Sequence, residues 1–132
     1  MGYLETNVSF HGRPSMPGKE TPPDIMKKIV WLDSSEIPGA PYFEIVWFIK
    51  ERAGNPPTHT HDFDEFIGFI GTDPEDPSNL NATVEFMLDG ETLTLTRSCI
   101  IYVPAGVPHC PFAITKIARP IIHFSGGNGQ RY

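Results

Sequence analysis

Short apolar runs separated by turn-forming residues recur along this chain, and their spacing constrains the fold more than any other feature. Clear examples are YFEIVWFIK (42–50), ATVEFML (82–88) and TLTLT (92–96). β-Branched and aromatic residues favour strands, while the 12 Gly and 14 Pro residues of the chain favour turns between them. The pattern predicts an all-β sandwich or barrel of about seven to nine strands, with at most one short helix.

The same pattern suggests how the chain is organised. Residues 1–24 are polar and rich in Pro and Gly, which predicts an extended N-terminal arm, and residues 25–132 form one domain. The segment 25–32 (IMKKIVWL) fits either a short helix or a strand. Residues 34–41 and 51–57 are expected to be loops, and Asp89-Gly90 between two apolar runs predicts a tight hairpin.

Charge and segment composition exclude several function classes. The formal net charge is −6 and the basic residues are scattered, so we expect no nucleic-acid partner. No apolar run approaches the roughly 20 residues that cross a bilayer, and we expect no membrane partner. The first 20 residues lack a signal-peptide pattern, which leads us to expect a cytoplasmic protein with Cys99 and Cys110 as free thiols.

The histidines and one glutamate suggest a chemical site. His59 and His61 are two residues apart, so they share a face on a strand and cannot do so on a helix. Glu65 has the same parity, but a straight strand would place it ~13 Å from His61 at about 3.3 Å per residue. A common site therefore requires a bend through residues 62–64. His109 would then arrive from a distant strand end, after the turn Pro104–Pro108.

Three imidazoles and one carboxylate form a ligand set for a single divalent metal ion. They leave one or two positions open on a five- or six-coordinate ion, which is more typical of catalytic than of structural sites. Nitrogen ligands with one oxygen suit Fe, Mn, Ni, Zn or Cu, and the set does not select among them.

Two segments resemble the motifs of the cupin family. HTHDFDEFIGFIG resembles the first motif, G(X)5HXH(X)3,4E(X)6G, with His59, His61 and Glu65 at its ligand positions. SCIIYVPAGVPH resembles the second, G(X)5PXG(X)2H(X)3N, with Pro104, Gly106 and His109 matching. The resemblance implies a single cupin (jelly-roll type) β-barrel that binds a metal. It also implies a homodimer, formed by strand addition at a sheet edge or by exchange of the N-terminal arm.

Other residues have weaker claims to a role. His123 in the last strand and Tyr102 are the candidates for catalytic acid or base, and His123 could instead contact the substrate. Asp62 and Asp64 have the opposite parity to the ligands and are expected to be solvated, while Cys110 is expected to be a buried, inert thiol.

The resemblance implies a metal-dependent enzyme that acts on a small organic molecule at the 3-His/1-Glu site. Dioxygenase chemistry and Lewis-acid isomerase or lyase chemistry both occur in the family, and the fold does not choose between them. The alternative is a non-catalytic cupin that binds a small molecule.

Overall fold

A computed structural model describes residues 22–129, and within that range all regular secondary structure is β-strand. The predicted arm (residues 1–24) lies almost wholly outside the described residues. The strands are β1 (Met26–Leu32), β2 (Tyr42–Phe48), β3 (Arg52–Asn55), β4 (Glu65–Ile70), β5 (Asn79–Leu88), β6 (Glu91–Arg97), β7 (Cys99–Val103), β8 (His109–Ile117) and β9 (Ile121–Gly127).

The strands form two antiparallel sheets. One has five strands in the order β1-β2-β9-β4-β7, and the other has four in the order β3-β8-β5-β6. The described chain contains no helix that is long and apolar enough to cross a membrane. The all-β prediction is confirmed, with the two sheets facing each other across one core as in a jelly roll.

The core follows from the alternation of side chains along each strand. In β5, Leu80, Ala82, Val84 and Phe86 are buried, while the residues between them face outward. Phe69 of β4 reaches across to Phe86, with ring centroids 6.3 Å apart. Aromatic side chains from both sheets therefore close the barrel interior.

Segments 25–32, 51–57 and the Asp89-Gly90 turn differ in how closely they follow their sequence patterns. The segment 25–32 contains strand β1, which resolves the choice between helix and strand. The loop predicted for residues 51–57 is wrong in part, because Arg52–Asn55 forms β3 against β8. Its sequence, RAGN, lacks the apolar residues that signal a strand, and pairing with β8 supplies its stability. Asp89 and Gly90 both have positive φ, 48° and 81°, as the predicted hairpin requires.

Candidate metal centre

Four side chains converge at one end of the barrel. One ligand atom from each of His59, His61, Glu65 and His109 lies within 4.8 Å of all the others. The structure thus brings together the four residues that the sequence singled out. Glu65 and His109 are buried, whereas His59 and His61 are half-buried, so the cluster is reached from the His59 and His61 side.

The backbone holds the two histidine segments together. The amides of His59 and His109 each donate to the other residue's carbonyl, at 3.1 and 3.0 Å, forming an isolated antiparallel bridge. The Gly106 amide donates to the His61 carbonyl at 2.8 Å. Gly106 has a φ of 83°, a conformation that favours glycine. The Pro104–Pro108 turn is therefore fixed against the segment that carries His59 and His61.

The bend required between His61 and Glu65 is present. The chain bends at residues 62–63, and β4 begins only at Glu65, so the three ligands do not share a straight strand. Asp64 stabilises this arrangement, since its Oδ1 accepts a hydrogen bond from the Ala105 amide at 2.9 Å. That hydrogen bond lowers the pKa of Asp64, and Tyr102 lowers it further. Sequence parity gave Asp64 no such role.

Two imidazoles are oriented by main-chain carbonyls. His59 Nδ1 lies 2.8 Å from the Pro57 oxygen, and His109 Nδ1 lies 2.9 Å from the Val107 oxygen. A carbonyl oxygen only accepts, so each Nδ1 carries the hydrogen and each Nε2 is directed to the centre. This arrangement fixes the tautomer and ring orientation of many metal-binding histidines.

Glu65 is the electrostatic focus of the cluster. His109 Nε2 lies 3.0 Å from Oε1, His61 Nε2 lies 3.5 Å from Oε2, and the Tyr42 hydroxyl donates to Oε2. Burial raises the pKa of Glu65, but the hydrogen bonds from His109 and Tyr42 and the nearby histidine charges outweigh it, and the net shift is downward. Glu65 is therefore an ionised carboxylate although only 3% of its surface is exposed.

The pKa values of His61 and His109 shift in opposite directions. Burial lowers the pKa of His61, and the charge of Glu65 only partly offsets it. Burial also opposes charge on His109, yet its hydrogen bond to Glu65 raises the pKa above the ordinary histidine value. The lowered pKa of His61 favours the neutral form that a metal ligand must have, while the contact with Glu65 shifts the pKa of His109 in the opposite direction.

The donor set fits a divalent ion. It provides imidazole nitrogens and one ionised carboxylate oxygen, the combination that suits Fe, Mn, Ni, Zn or Cu. The neighbouring thiol is not part of it: Cys110 packs in the core, and burial raises its pKa to about 12. The four ligand atoms that converge among the described residues are therefore nitrogen and oxygen atoms.

His123 and Ser125 occupy the inner face of β9, the strand next to Glu65. His123 Nδ1 lies 3.0 Å from the Gly68 carbonyl and donates to it. The imidazole lies among the rings of Phe48, Phe69 and Phe112. Burial lowers the pKa of His123 to about 4, so the ring is neutral at pH 7. Ser125 is 2% exposed, and its Oγ has no hydrogen-bond partner among the described residues.

Tyr102 lies on the other side of the sheet. It is half exposed on the outer face of β7, next to Phe66 of β4, with ring centroids 5.6 Å apart. A hydrogen bond to Asp64 raises its pKa. The structure therefore does not bring Tyr102 to the cluster, and a catalytic role for it remains a prediction.

Three residues at or near the site were not found from the sequence: Tyr42, Asp64 and Ser125. Tyr42 and Ser125 do follow the period-2 alternation of β2 and β9, which places them on the buried face. Alternation alone does not reveal which inward residue lies next to a ligand. The neighbours of each ligand depend on the strand register: Gly127 of β9 pairs with Tyr42 on one side and with Glu65 on the other.

No family model matches the chain, and no curated protein matches its sequence. Solved structures do match its shape. KdgF from a Halomonas species is 16% identical, with 84% of each chain covered and a TM-score of 0.50. An RmlC-like cupin from Shewanella frigidimarina is 17% identical over 88% of this chain and 90% of that one, also with a TM-score of 0.50.

An oxalate oxidase, solved in complex with the substrate analogue glycolate, gives a TM-score of 0.56 at 15% identity. The match covers 98% of this chain and 65% of the oxidase. At these identities the likeness concerns the fold.

Proposed function

We propose that this chain, whose fold is that of the cupins, is a metal-dependent enzyme acting on a small organic molecule. The observation that carries the proposal is the buried, ionised Glu65 surrounded by three imidazoles within 4.8 Å. Three imidazoles and one ionised carboxylate oxygen that converge in this way form the donor set of a divalent metal site. The similarity in fold to an oxalate oxidase that holds a small substrate analogue also supports it.

The residues that would hold the ion are His59, His61, Glu65 and His109. A bound divalent ion would supply a Lewis acid with open coordination positions, the property shared by the dioxygenase and the isomerase or lyase alternatives. Tyr42 keeps the Glu65 carboxylate in one orientation by donating to Oε2. Imidazole and carboxylate ligands bind a metal ion in their deprotonated forms, so protons would compete with the ion and we expect affinity to fall as the pH is lowered.

The surroundings of the cluster define where a substrate would lie. Phe63 stacks on His61, with centroids 4.7 Å apart, and forms an apolar wall beside the half-buried side of the cluster. Gly129 makes room for this ring, because a Cβ there would lie 2.4 Å from it. Ser125, one inward position along β9 from the Gly127–Glu65 pair, would offer a hydrogen bond to a polar group of the substrate.

His123 suits a contact role better than an acid or base role. With a pKa of about 4, the imidazole is a weak base and carries no proton to donate from Nε2 at pH 7. We propose that it contributes shape and a neutral polar edge to the barrel interior.

We also propose that the chain acts as a homodimer and resides in the cytoplasm. The two cysteines, Cys99 and Cys110, are both free, which is consistent with a reducing compartment.

The experiment is a measurement of metal content by plasma mass spectrometry for the unaltered chain, His61→Ala and His11→Ala. We expect about one ion per chain, lost in His61→Ala and kept in His11→Ala, which removes a histidine that has no proposed role. The reconstituted protein is then screened for chelator-sensitive turnover of small carboxylic acids and carbonyl compounds, with oxygen uptake recorded. Tight binding without turnover would favour the non-catalytic alternative. Failure to take up any metal would contradict the proposal.

A further inference from the structure

The outer face of the five-stranded sheet lacks the polar surface expected of a face in water. On β2, β4, β7 and β9, every outward position is apolar, glycine or tyrosine, as the pairing register shows. The larger side chains there include Phe43, Trp47, Phe66, Ile100, Tyr102 and Phe124. We call this surface the aromatic face. Within the five strands, all of them in the described range, Lys27 is the one charged residue at an outward position.

Two glycines make the aromatic face level. An added Cβ on Gly68 would lie 2.1 Å from the Phe124 ring, and one on Gly126 would lie 2.3 Å from the Phe43 ring. The Phe124 ring therefore packs directly over Gly68, and the Phe43 ring packs over Gly126. The two rings stack on each other, with centroids 5.5 Å apart and planes at 15°. The result is a flat surface of ring faces, the shape that another sheet can pack against at about 10 Å.

The outer face of the four-stranded sheet shows the contrast. There the outward positions of β5 and β6 carry residues such as Thr83, Glu85, Thr92 and Thr94, and Thr94 donates to Glu85 at 3.0 Å. That face alternates in the usual way for an antiparallel sheet with one side in water. The apolar character of the aromatic face is thus a property of one sheet and not of the whole surface.

The exposed area is large enough to matter. The most exposed large side chains on the aromatic face are Phe43 (42%), Phe66 (48%), Tyr102 (50%) and Ile100 (63%). With about 200 Å² for each full side chain, these four alone leave on the order of 400 Å² accessible. Monomeric proteins rarely expose larger contiguous patches. The half-buried Trp47 and Ile122 raise the area to roughly 500 Å² per chain, or about 1,000 Å² over two copies, which is the lower end of the range for a specific interface.

We infer that the aromatic face is the interface with a second copy of this chain, packed sheet on sheet. Each chain carries a net charge of −6, so two copies approach at the lowest electrostatic cost through a surface that has no carboxylates. The outward positions of this sheet carry none. A two-fold interface places the same patch on both sides, so a flat, uncharged face is complementary to itself. This inference specifies the homodimer proposed above and differs from strand addition or arm exchange, which use other parts of the chain.

The test is the mass of the full chain in solution, by light scattering after size-exclusion chromatography at tens of micromolar. We expect twice the 14.7 kDa of one chain. Ile100→Glu and Phe66→Glu should each give a monomer, with dissociation roughly 100-fold easier, because like charges would meet across the two-fold axis. The matched control is Thr96→Glu, which adds the same charge to an exposed position of the four-stranded sheet and should remain a dimer.

Three results would overturn the inference. One is a monomeric unaltered chain. Another is a dimer that persists in both glutamate variants. The third is a dimer that dissociates only when residues 1–20 are deleted, which would assign the contact to the N-terminal segment.

If both glutamate variants fail to fold, amide hydrogen exchange of the unaltered chain is compared at high and at low protein concentration. Slower exchange in β4 and β7 at high concentration that disappears at low concentration would support the interface. Exchange rates that do not depend on concentration would refute it. Metal content separates this question from the proposed function, since the aromatic face lies on the opposite side of the sheet from Glu65.

Discussion

The two ends of the barrel interior differ in side-chain chemistry, since one is polar and the other is aromatic. The polar end, made of Tyr42, His59, His61, Glu65 and His109, holds a carboxylate and imidazoles in a buried or half-buried site. The aromatic end, made of Phe48, Phe69, Phe86 and Phe112 around His123, is packed ring against ring. One end stabilises the fold by excluding water, while the other accepts desolvated charge, which helps stability only when it is paired.

This division separates stability from function along the same strands. β4 contributes Glu65 to the polar end and Phe69 to the aromatic end, four residues apart and on the same inward side. β9 likewise carries His123 towards the aromatic end and Ser125 nearer the polar end. Substitutions at the aromatic end should therefore lower mainly the free energy of unfolding, while substitutions at the polar end should lower mainly the affinity for metal.

The largest effect should come from Phe69→Ala at the aromatic end. The side chain is fully buried, and its removal leaves a cavity, so we expect a loss of about 3–5 kcal/mol in the free energy of unfolding. His61→Ala at the polar end should cost the metal-free chain about 1 kcal/mol or less. Urea unfolding of both metal-free variants measures the difference, and equal losses would contradict the division.

The next effect concerns the pH dependence of stability. His123 has a folded pKa of about 4, below the ordinary value of about 6.5, so between these values the unfolded chain binds the extra proton. Stability contributed by the neutral ring is present above pH 6.5 and lost progressively as the pH falls towards 4, by about 3 kcal/mol at most.

Replacing the histidine isolates this contribution. His123→Phe should remove that part of the pH slope in urea unfolding of the metal-free chain, while His11→Ala serves as the control. A slope unchanged by His123→Phe would show that the ring titrates normally in the folded protein.

Much of this arrangement is predictable from the sequence. The alternation of apolar residues identifies most strands, Asp89-Gly90 identifies a hairpin, and the distance between His61 and Glu65 demands the bend that the structure contains. β3 escapes prediction because its residues make no apolar pattern and depend on β8 for pairing. Tyr42 escapes because its contact with Glu65 follows from the register of β2 and β4 on β9, and register is a long-range property.

A third prediction concerns the hydroxyl that holds the carboxylate. Tyr42→Phe keeps the ring and removes the hydrogen bond to Glu65, so metal affinity should fall about 10-fold, in the range seen when a ligand loses its supporting partner. Calorimetric titration of the metal-free protein with Zn²⁺ or Mn²⁺ measures this. The aromatic-end variant His123→Phe provides the comparison and should keep its affinity. A larger loss in His123→Phe than in Tyr42→Phe would reverse the assignment of the two ends.

The smallest effect is expected at Ser125, where the polar and aromatic ends meet. Its buried hydroxyl has no partner among the described residues, and such a group costs about 1–3 kcal/mol. Ser125→Ala should therefore raise the unfolding free energy of the ligand-free protein by about 1 kcal/mol, measured by urea titration. A loss of stability would mean that the hydroxyl is already satisfied, and its proposed contact with substrate would lose its support.

The central claim is that the polar end holds one metal ion between four side chains. An anomalous difference map from crystals of the purified chain, recorded at the absorption edge of the metal found by mass spectrometry, tests this directly. If the four side chains hold one ion, a single strong peak is expected at about 2.0–2.3 Å from the Nε2 atoms of His59, His61 and His109 and from the Glu65 carboxylate. A map without a peak between these residues, or with its main peak elsewhere on the chain, would contradict it.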